Sequence, residues 1–198
     1  RQESQARTRA RLVQTAERIF LRQGFHSASI GQIARAAGYT TGAVYSNFAS
    51  KEELCLAVLE GRVLGLADRL REDFAAAEPT VDARLAVLER WWETLLGDEE
   101  WAQLGAEFVL ATRGTPAIRR QIAERLQVAR TLVVGLLAAQ QEVVGFDSPM
   151  DPNRLAAAVT GLGIGLSVQR IADPSLPAET FTETVRTLLR GAAVPAAS

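Results

Sequence analysis

The 198-residue chain has little of the chemistry from which most active sites are built. It contains one cysteine (Cys55), one histidine (His26) and one lysine (Lys51). A lone cysteine excludes an internal disulfide and suits a reducing compartment. With one histidine, Cys/His zinc clusters, a two-histidine di-iron bundle and a triad needing a second histidine are all excluded. No glycine-rich phosphate loop is present. Paired acids such as Glu99-Glu100 fall in the first turn of a helix, where the dipole favours them. The chain therefore reads as no enzyme, with no catalytic residue, metal ligand set or cofactor. Long apolar runs are also scarce. The uncharged run Leu155–Gln169 is shorter than a spanning helix requires. The Arg-rich start lacks the apolar stretch of a signal peptide. The expectation is a cytoplasmic chain without a membrane partner.

Charge of one sign is scarce where it matters. The net charge of −1 conceals a division. Residues 1–51 hold eight basic side chains (Arg1, Arg7, Arg9, Arg11, Arg18, Arg22, Arg35, Lys51) and only Glu3 and Glu17 as acids, from chain totals of 22 basic and 23 acidic groups. The first quarter is thus at +6 and the remainder at −7. Such asymmetry suggests that the N-terminal part meets a polyanion and the rest does something else. A basic surface patch without a partner is the alternative on charge alone.

Helical periodicity runs throughout, and strand-like alternation is absent. About nine helices are predicted, giving an all-α chain. The first spans Thr8–Gln23, with Leu12, Ala16, Ile19 and Phe20 on one face, and Gly24 ends it. Ser29-Ile30-Gly31-Gln32 is a capping box opening a second helix to Ala37. A third covers Thr40–Asn47. Ser50-Lys51-Glu52-Glu53 is another capping box, opening a long fourth helix to Ala77. The fifth follows Pro79-Thr80 and reaches Leu96, before Gly97-Asp98. The sixth covers Glu99–Arg113, and the seventh runs from Thr115-Pro116 to Val144. After the loop Gly145–Pro149, Asp151-Pro152 opens the eighth, to Ala172. The ninth follows the break Asp173–Pro177 and ends near Ala193, leaving Val194–Ser198 frayed.

Ser29–Asn47 is the informative stretch: helix, three-residue turn, helix. That is the helix-turn-helix plan, whose second helix enters the major groove. Ala34 is small where two helices cross. Gly38 stands where the turn needs a left-handed backbone. Ile33, Ala37 and Val44 are spaced to bury against the first helix. Thr40, Thr41, Ala43, Ser46 and Asn47 then face outward, short and mostly polar, as phosphates and base edges require. Lys51 sits in a first turn, where its charge opposes the helix dipole, a placement that an external phosphate would rationalise. Arg7, Arg9 and Arg11 read either as a DNA-reaching arm or as a solvated tail. Arg18, Arg22 and Arg35 read as surface charges on the DNA-facing side.

From Thr8 to Glu60 the chain resembles the DNA-binding domain of TetR/AcrR-type transcriptional regulators. The resemblance lies in Arg22-Gln23-Gly24-Phe25, Ser27-Ala28-Ser29-Ile30, Ile33-Ala34-Arg35-Ala36-Ala37-Gly38, Thr41 through Phe48, and Lys51-Glu52-Glu53-Leu54. It implies that Thr41, Gly42 and Tyr45 approach bases. By the same likeness Tyr39, Thr40, Ser46, Asn47 and Lys51 hold phosphates, and Ser29 caps near the DNA backbone. Asn47 stands where the family often has histidine, and its amide can still donate. The implied layout is a DNA-binding domain at 1–54 and a helical ligand-binding and dimerisation domain at 55–198. The implied function is a repressor that binds a palindromic operator in double-stranded DNA as a homodimer and is released by a small molecule. A helical protein-interaction module without sequence-specific DNA binding is the alternative.

In the acidic C-terminal part, Phe74, Trp92, Trp101, Leu104, Phe108, Thr112 and Gln141 are candidate effector contacts, since aromatics with a few polar groups line pockets between helices. Core packing explains the same stripe equally well. The eighth helix carries Ala157, Gly161 and Gly165 at i, i+4, i+8, and interior glycines cost about 1 kcal/mol each relative to alanine. Close approach of a partner helix would justify them. The ninth helix presents Phe181, Val185, Leu188 and Leu189. Helices eight and nine are therefore expected to form the homodimer interface.

Overall fold

The computed structural model describes residues 2–93, 98–145, 148 and 150–190. Among these residues there are nine helices and no strand: α1 (Gln2–Ser27), α2 (Ile30–Ala37), α3 (Thr41–Tyr45), α4 (Lys51–Ala76), α5 (Val81–Trp91), α6 (Glu99–Thr112), α7 (Pro116–Val144), α8 (Pro152–Ala172) and α9 (Glu179–Arg190). The all-α expectation is met. The expected helix ends at Leu96 and Ala193, the Gly97 break, most of the 145–149 loop and the C-terminal tail lie outside the described residues, as does Arg1.

The local signals act as the sequence suggests. The Ser29 side chain accepts from the Gln32 backbone while the Gln32 side chain accepts from the Ser29 backbone, so the capping box is complete. Gly38 takes a left-handed φ of 79° and ends α2. Thr80 and Asp151 cap α5 and α8. The box opening α4 is different. Ser50 Oγ accepts from the Glu53 N–H, but the Glu53 carboxylate accepts from the Ala49 N–H, one residue earlier than expected.

The first helix corrects the reading of the N-terminus. It begins at Gln2, because residues 2–7 are tolerant of helix and Glu3 favours its first turn. Arg7, Arg9 and Arg11 are thus on a helix, neither a flexible arm nor a loose tail, and the Arg9 guanidinium lies 4.4 Å above the Phe48 ring. Gly24, at φ 76° and ψ 167°, interrupts α1 before its last turn.

Two compact units are formed. The first comprises the chain up to Leu64 together with Glu100–Arg125; the second comprises Gly65–Glu99 and Leu126 onward. A single core fills the first unit: Leu12, Phe20, Phe25, Ile33, Val44, Phe48, Leu54 and their neighbours, joined by Leu104 and Phe108 of α6 and Ile118 of α7. The second unit has two smaller clusters. One joins Leu85 and Trp92 to Leu155, Leu166, Phe181, Val185 and Leu189. The other is Phe74, Val87 and Trp91. The division after residue 54 is one of sequence character and remains a proposal.

Two expectations for α8 and α9 change. The apolar face of α9 is buried within its own chain: Phe181 stacks on Trp92 with centroids 4.9 Å apart, and Val185 and Leu189 join the same cluster. It is therefore not left over for a second subunit. The uncharged run 155–169 lies inside a 21-residue helix, long and apolar enough to cross a membrane by length and composition alone, with mean hydropathy 1.4. Leu155, Ala156, Leu166 and Ser167 of that helix are buried in the second unit.

Candidate nucleic-acid interface

The head is built so that one short helix is gripped from behind and left open in front. Ile33, Ala34, Ala37 and Val44 are all buried in the first core, so the helix-turn-helix is held by apolar packing along its inner side. Tyr39 N–H donates to the Ala34 carbonyl across the Gly38 turn at 2.9 Å. On the outer side Thr41, Gly42 and Tyr45 are exposed, Tyr45 at 57%. Tyr45 thus stays open beside Val44, the buried residue through which α3 meets the core.

The remaining candidates divide into outward groups and groups committed within the head. Ser29 is exposed, yet its hydroxyl serves the α2 cap. Tyr39 is half-buried against the core. Thr40 caps α3, accepting from the Ala43 N–H at 3.2 Å. Ser46 donates to the Ala43 carbonyl at 2.9 Å. Asn47 corrects the expectation of a free amide donor: its Nδ2 donates to the Ala43 carbonyl at 2.8 Å and to Ser46 Oγ at 3.3 Å, and its Oδ1 is buried without a partner.

Lys51 brings the larger correction. Its ammonium points inward, donating to the carbonyls of Phe25 (2.8 Å), Ala28 (3.0 Å) and His26 (3.4 Å), and lies 4.4 Å above the Phe25 ring. All three protons are committed. The charge that opposed its own helix dipole instead satisfies the carbonyls left where α1 ends and the chain turns. An external phosphate is not needed to explain it.

On the other side of the same turn, Glu107 of α6 accepts from the Phe25 N–H at 2.8 Å, and Gln103 steadies its second oxygen at 2.7 Å. A Cβ at Gly24 would stand 2.6 Å from that carboxylate. Phe25 and Phe108 meet edge to face, 5.2 Å apart. Cation, carboxylate and ring thus clamp one turn. Neither grip on this turn is visible in sequence, because Lys51 lies some 25 residues and Glu107 some 82 residues from it. Cys55, at the base of the head, is fully buried, and burial pushes its thiol up to about 12.

Sequence reasoning also missed Ser4, Gln5 and Thr8. With α1 begun at Gln2, they border an open groove of about 460 Å³ together with Tyr39, Ala43, Ser46 and Asn47. Their i, i+1, i+4 spacing was the available signal, hidden by the assumption that the helix started later.

The seven effector candidates divide between the two units. Leu104 and Phe108 are core of the first unit, with Trp101 half-buried at its edge beneath the Arg62 guanidinium. Thr112 is buried, its hydroxyl donating to the Phe108 carbonyl at 2.7 Å. Phe74 and Trp92 belong to two different clusters of the second unit, and Gln141 is exposed. Helical spacing identifies a face but not the surface it meets.

Comparison with known proteins agrees with this geometry. Residues 12–58 match the family model described as bacterial regulatory proteins, tetR family. FasR of Mycolicibacterium smegmatis, a transcriptional activator, is 26% identical over 160 residues, spanning 81% of this chain and 68% of that protein. The regulator SrpR of Pseudomonas putida is 47% identical over 55 residues, which span 28% of this chain and 26% of SrpR. The crystal structure of FadR from Bacillus subtilis, in complex with stearoyl-CoA, shares the fold at a TM-score of 0.68 and 19% identity, covering 92% of this chain and 98% of that one. By these comparisons the chain is similar to TetR/AcrR-type bacterial transcriptional regulators, the family model covering its N-terminal helix-turn-helix at residues 12–58.

Proposed function

We propose that the protein is a dimeric repressor that reads a palindromic operator through α3 and leaves it when a small molecule binds the second unit. The observation that carries the DNA-reading part is the exposed trio Thr41, Gly42 and Tyr45, on a helix anchored to the core through the buried Val44. Ser4, Gln5 and Thr8, beside the same groove, are added as backbone contacts. Thr40, Ser46 and Ser29 remain backbone contacts through hydroxyls and nearby main chain. Lys51 positions the turn instead of holding phosphate.

One such helix reads only a few base pairs, so specificity calls for two heads on a twofold axis. The surface that supports a dimer is α8. Ala157, Gly161, Ile164, Val168 and Ile171 follow one another at helical spacing and are exposed, Ile164 at 56%. An added Cβ at Gly161 meets nothing within 4 Å of its own chain, so packing within the chain does not require glycine there. Release by ligand requires tighter binding to the state that does not fit DNA. The continuous helix α4, with residues in both packing units, is the natural carrier of that change.

In vitro site selection with sequencing tests the reading. A palindromic consensus is expected, bound at nanomolar protein and weakening steeply with salt. Tyr45→Ala is expected to abolish selectivity. Ile164→Glu is expected to yield monomers in analytical ultracentrifugation and to lose operator binding, with the head still folded. Recovery of no preferred sequence would favour an interaction module instead.

A further inference from the structure

We infer that Arg84 anchors an anionic ligand in the second unit, where α5 packs on the later half of α4; the inference rests on the ligand-responsive reading above. Arg84 is only 8% exposed, and its Nε and Nη1 have no hydrogen-bond partner. A guanidinium keeps its charge at any physiological pH. A buried charge without a partner is among the least tolerable groups in a protein interior.

The side chains packed on the Arg84 face of α5 are apolar. Arg84 shares one face of α5 with Val87, Leu88 and Trp91, and that face meets Leu66, Leu70 and Phe74 of α4. The Phe74 ring centroid lies 5.8 Å from the guanidinium carbon, an attraction that leaves the N–H donors unused. Two acids of this unit are committed elsewhere: Asp73 accepts from the Trp91 indole, and Asp82 pairs with Arg186. The unfilled donors on a cationic group call for an anionic acceptor such as a carboxylate or phosphate. The aromatic and aliphatic side chains around them match an apolar body. The ligand class is therefore a small amphipathic anion; a neutral or cationic molecule would leave the charge uncompensated.

Thermal unfolding of the full chain tests this, with octanoate and 4-phenylbutyrate as probes against their uncharged amides and against inorganic phosphate, at matched ionic strength. The carboxylates are expected to raise Tm saturably and the amides and phosphate to do nothing. Arg84→Leu is expected to raise the ligand-free Tm by about 5 °C, because it removes an unpaired buried charge, and to erase the carboxylate response while retaining operator binding. Arg84→Lys keeps the charge but replaces the planar set of donors with a single ammonium and should bind the probes at least about tenfold more weakly. A lower Tm for Arg84→Leu, amides as effective as acids, or an equal response to phosphate would each overturn the assignment. Carboxylates that bind through Arg84 without changing operator affinity would leave the anion site standing and remove the release mechanism. Release by uncharged compounds alone would do the reverse.

Discussion

The two packing units differ in how far each satisfies itself. The first has one contiguous core, and its turns are closed by side chains from distant parts of the sequence: Lys51 on three carbonyls, Glu107 on the Phe25 N–H. Its buried side-chain polar atoms, among the described residues, have partners except Asn47 Oδ1. The second unit has two smaller clusters, an apolar α8 face turned outward, and unpartnered buried atoms on Arg84, Trp92, Gln140, Thr160 and Arg170. A reading head must hold its geometry before DNA arrives, since any ordering on binding subtracts from affinity. A regulatory unit works the other way: the interactions it lacks are those that a ligand or second subunit can supply, and differential binding needs such a deficit.

The comparison is broken most directly through the head's core. Phe108→Ala lies 50 residues beyond the family-model match at 12–58, yet should destabilise the head by about 3–5 kcal/mol, as for other buried aromatics. Cys55 provides the readout. Its thiol, pushed up to about 12 by burial, stays neutral and shielded in the folded head, while in the unfolded chain it ionises near the ordinary value of 9.0. Labelling should accelerate sharply in the variant, and raising pH from 7 to 9 should speed labelling of unfolded chains only. Because the folded value lies above the unfolded one, this group's stabilising contribution is complete below pH 9 and disappears as pH rises toward 12. An unchanged labelling rate in Phe108→Ala would mean that α6 is no part of the head.

Lys51 sharpens the comparison at intermediate size. Lys51→Met keeps the stem over Phe25 and removes the ammonium, leaving its carbonyl partners without a donor. The expected loss is about 1.5–3 kcal/mol of head stability. The slope of log affinity against log salt should not change, because no phosphate contact is lost and the number of counterions released stays the same. A slope reduced by about 0.9 would restore Lys51 to the DNA surface.

These two residues also mark where sequence reading ends. Caps, glycine breaks and apolar periodicity are local, so the helix order, the capping box at Ser29, the Gly38 turn and the exposed α3 face were all legible. Lys51 was misjudged because its partners are three carbonyls at the end of another helix, and backbone carbonyls carry no sequence signature. The packing of the effector candidates is hidden from the sequence for a related reason. Trp92 and Phe108 are both buried aromatics of helical segments, but which cluster each joins depends on contacts far apart in the chain. Arg84 gave no signal, since an arginine on a surface-like helical pattern is ordinarily solvated; only burial distinguishes it.

The smallest effects concern two glycines of the head that have opposite expected signs. Gly38 holds φ 79°, and a Cβ there meets nothing within 4 Å, so alanine is opposed by the backbone alone. Gly38→Ala should cost about 1–2 kcal/mol. Gly31 lies inside α2 with equally open surroundings, and there alanine relieves the entropic penalty of glycine in a helix. Gly31→Ala should stabilise by up to about 1 kcal/mol. Chemical denaturation of the pair separates backbone strain from packing, because neither substitution introduces a clash within the chain. If both destabilise equally, α2 is crowded by something other than its own head. If Gly31→Ala stabilises the protein but weakens operator binding, the N-terminal turn of α2 lies closer to DNA than the exposed face of α3 alone would require.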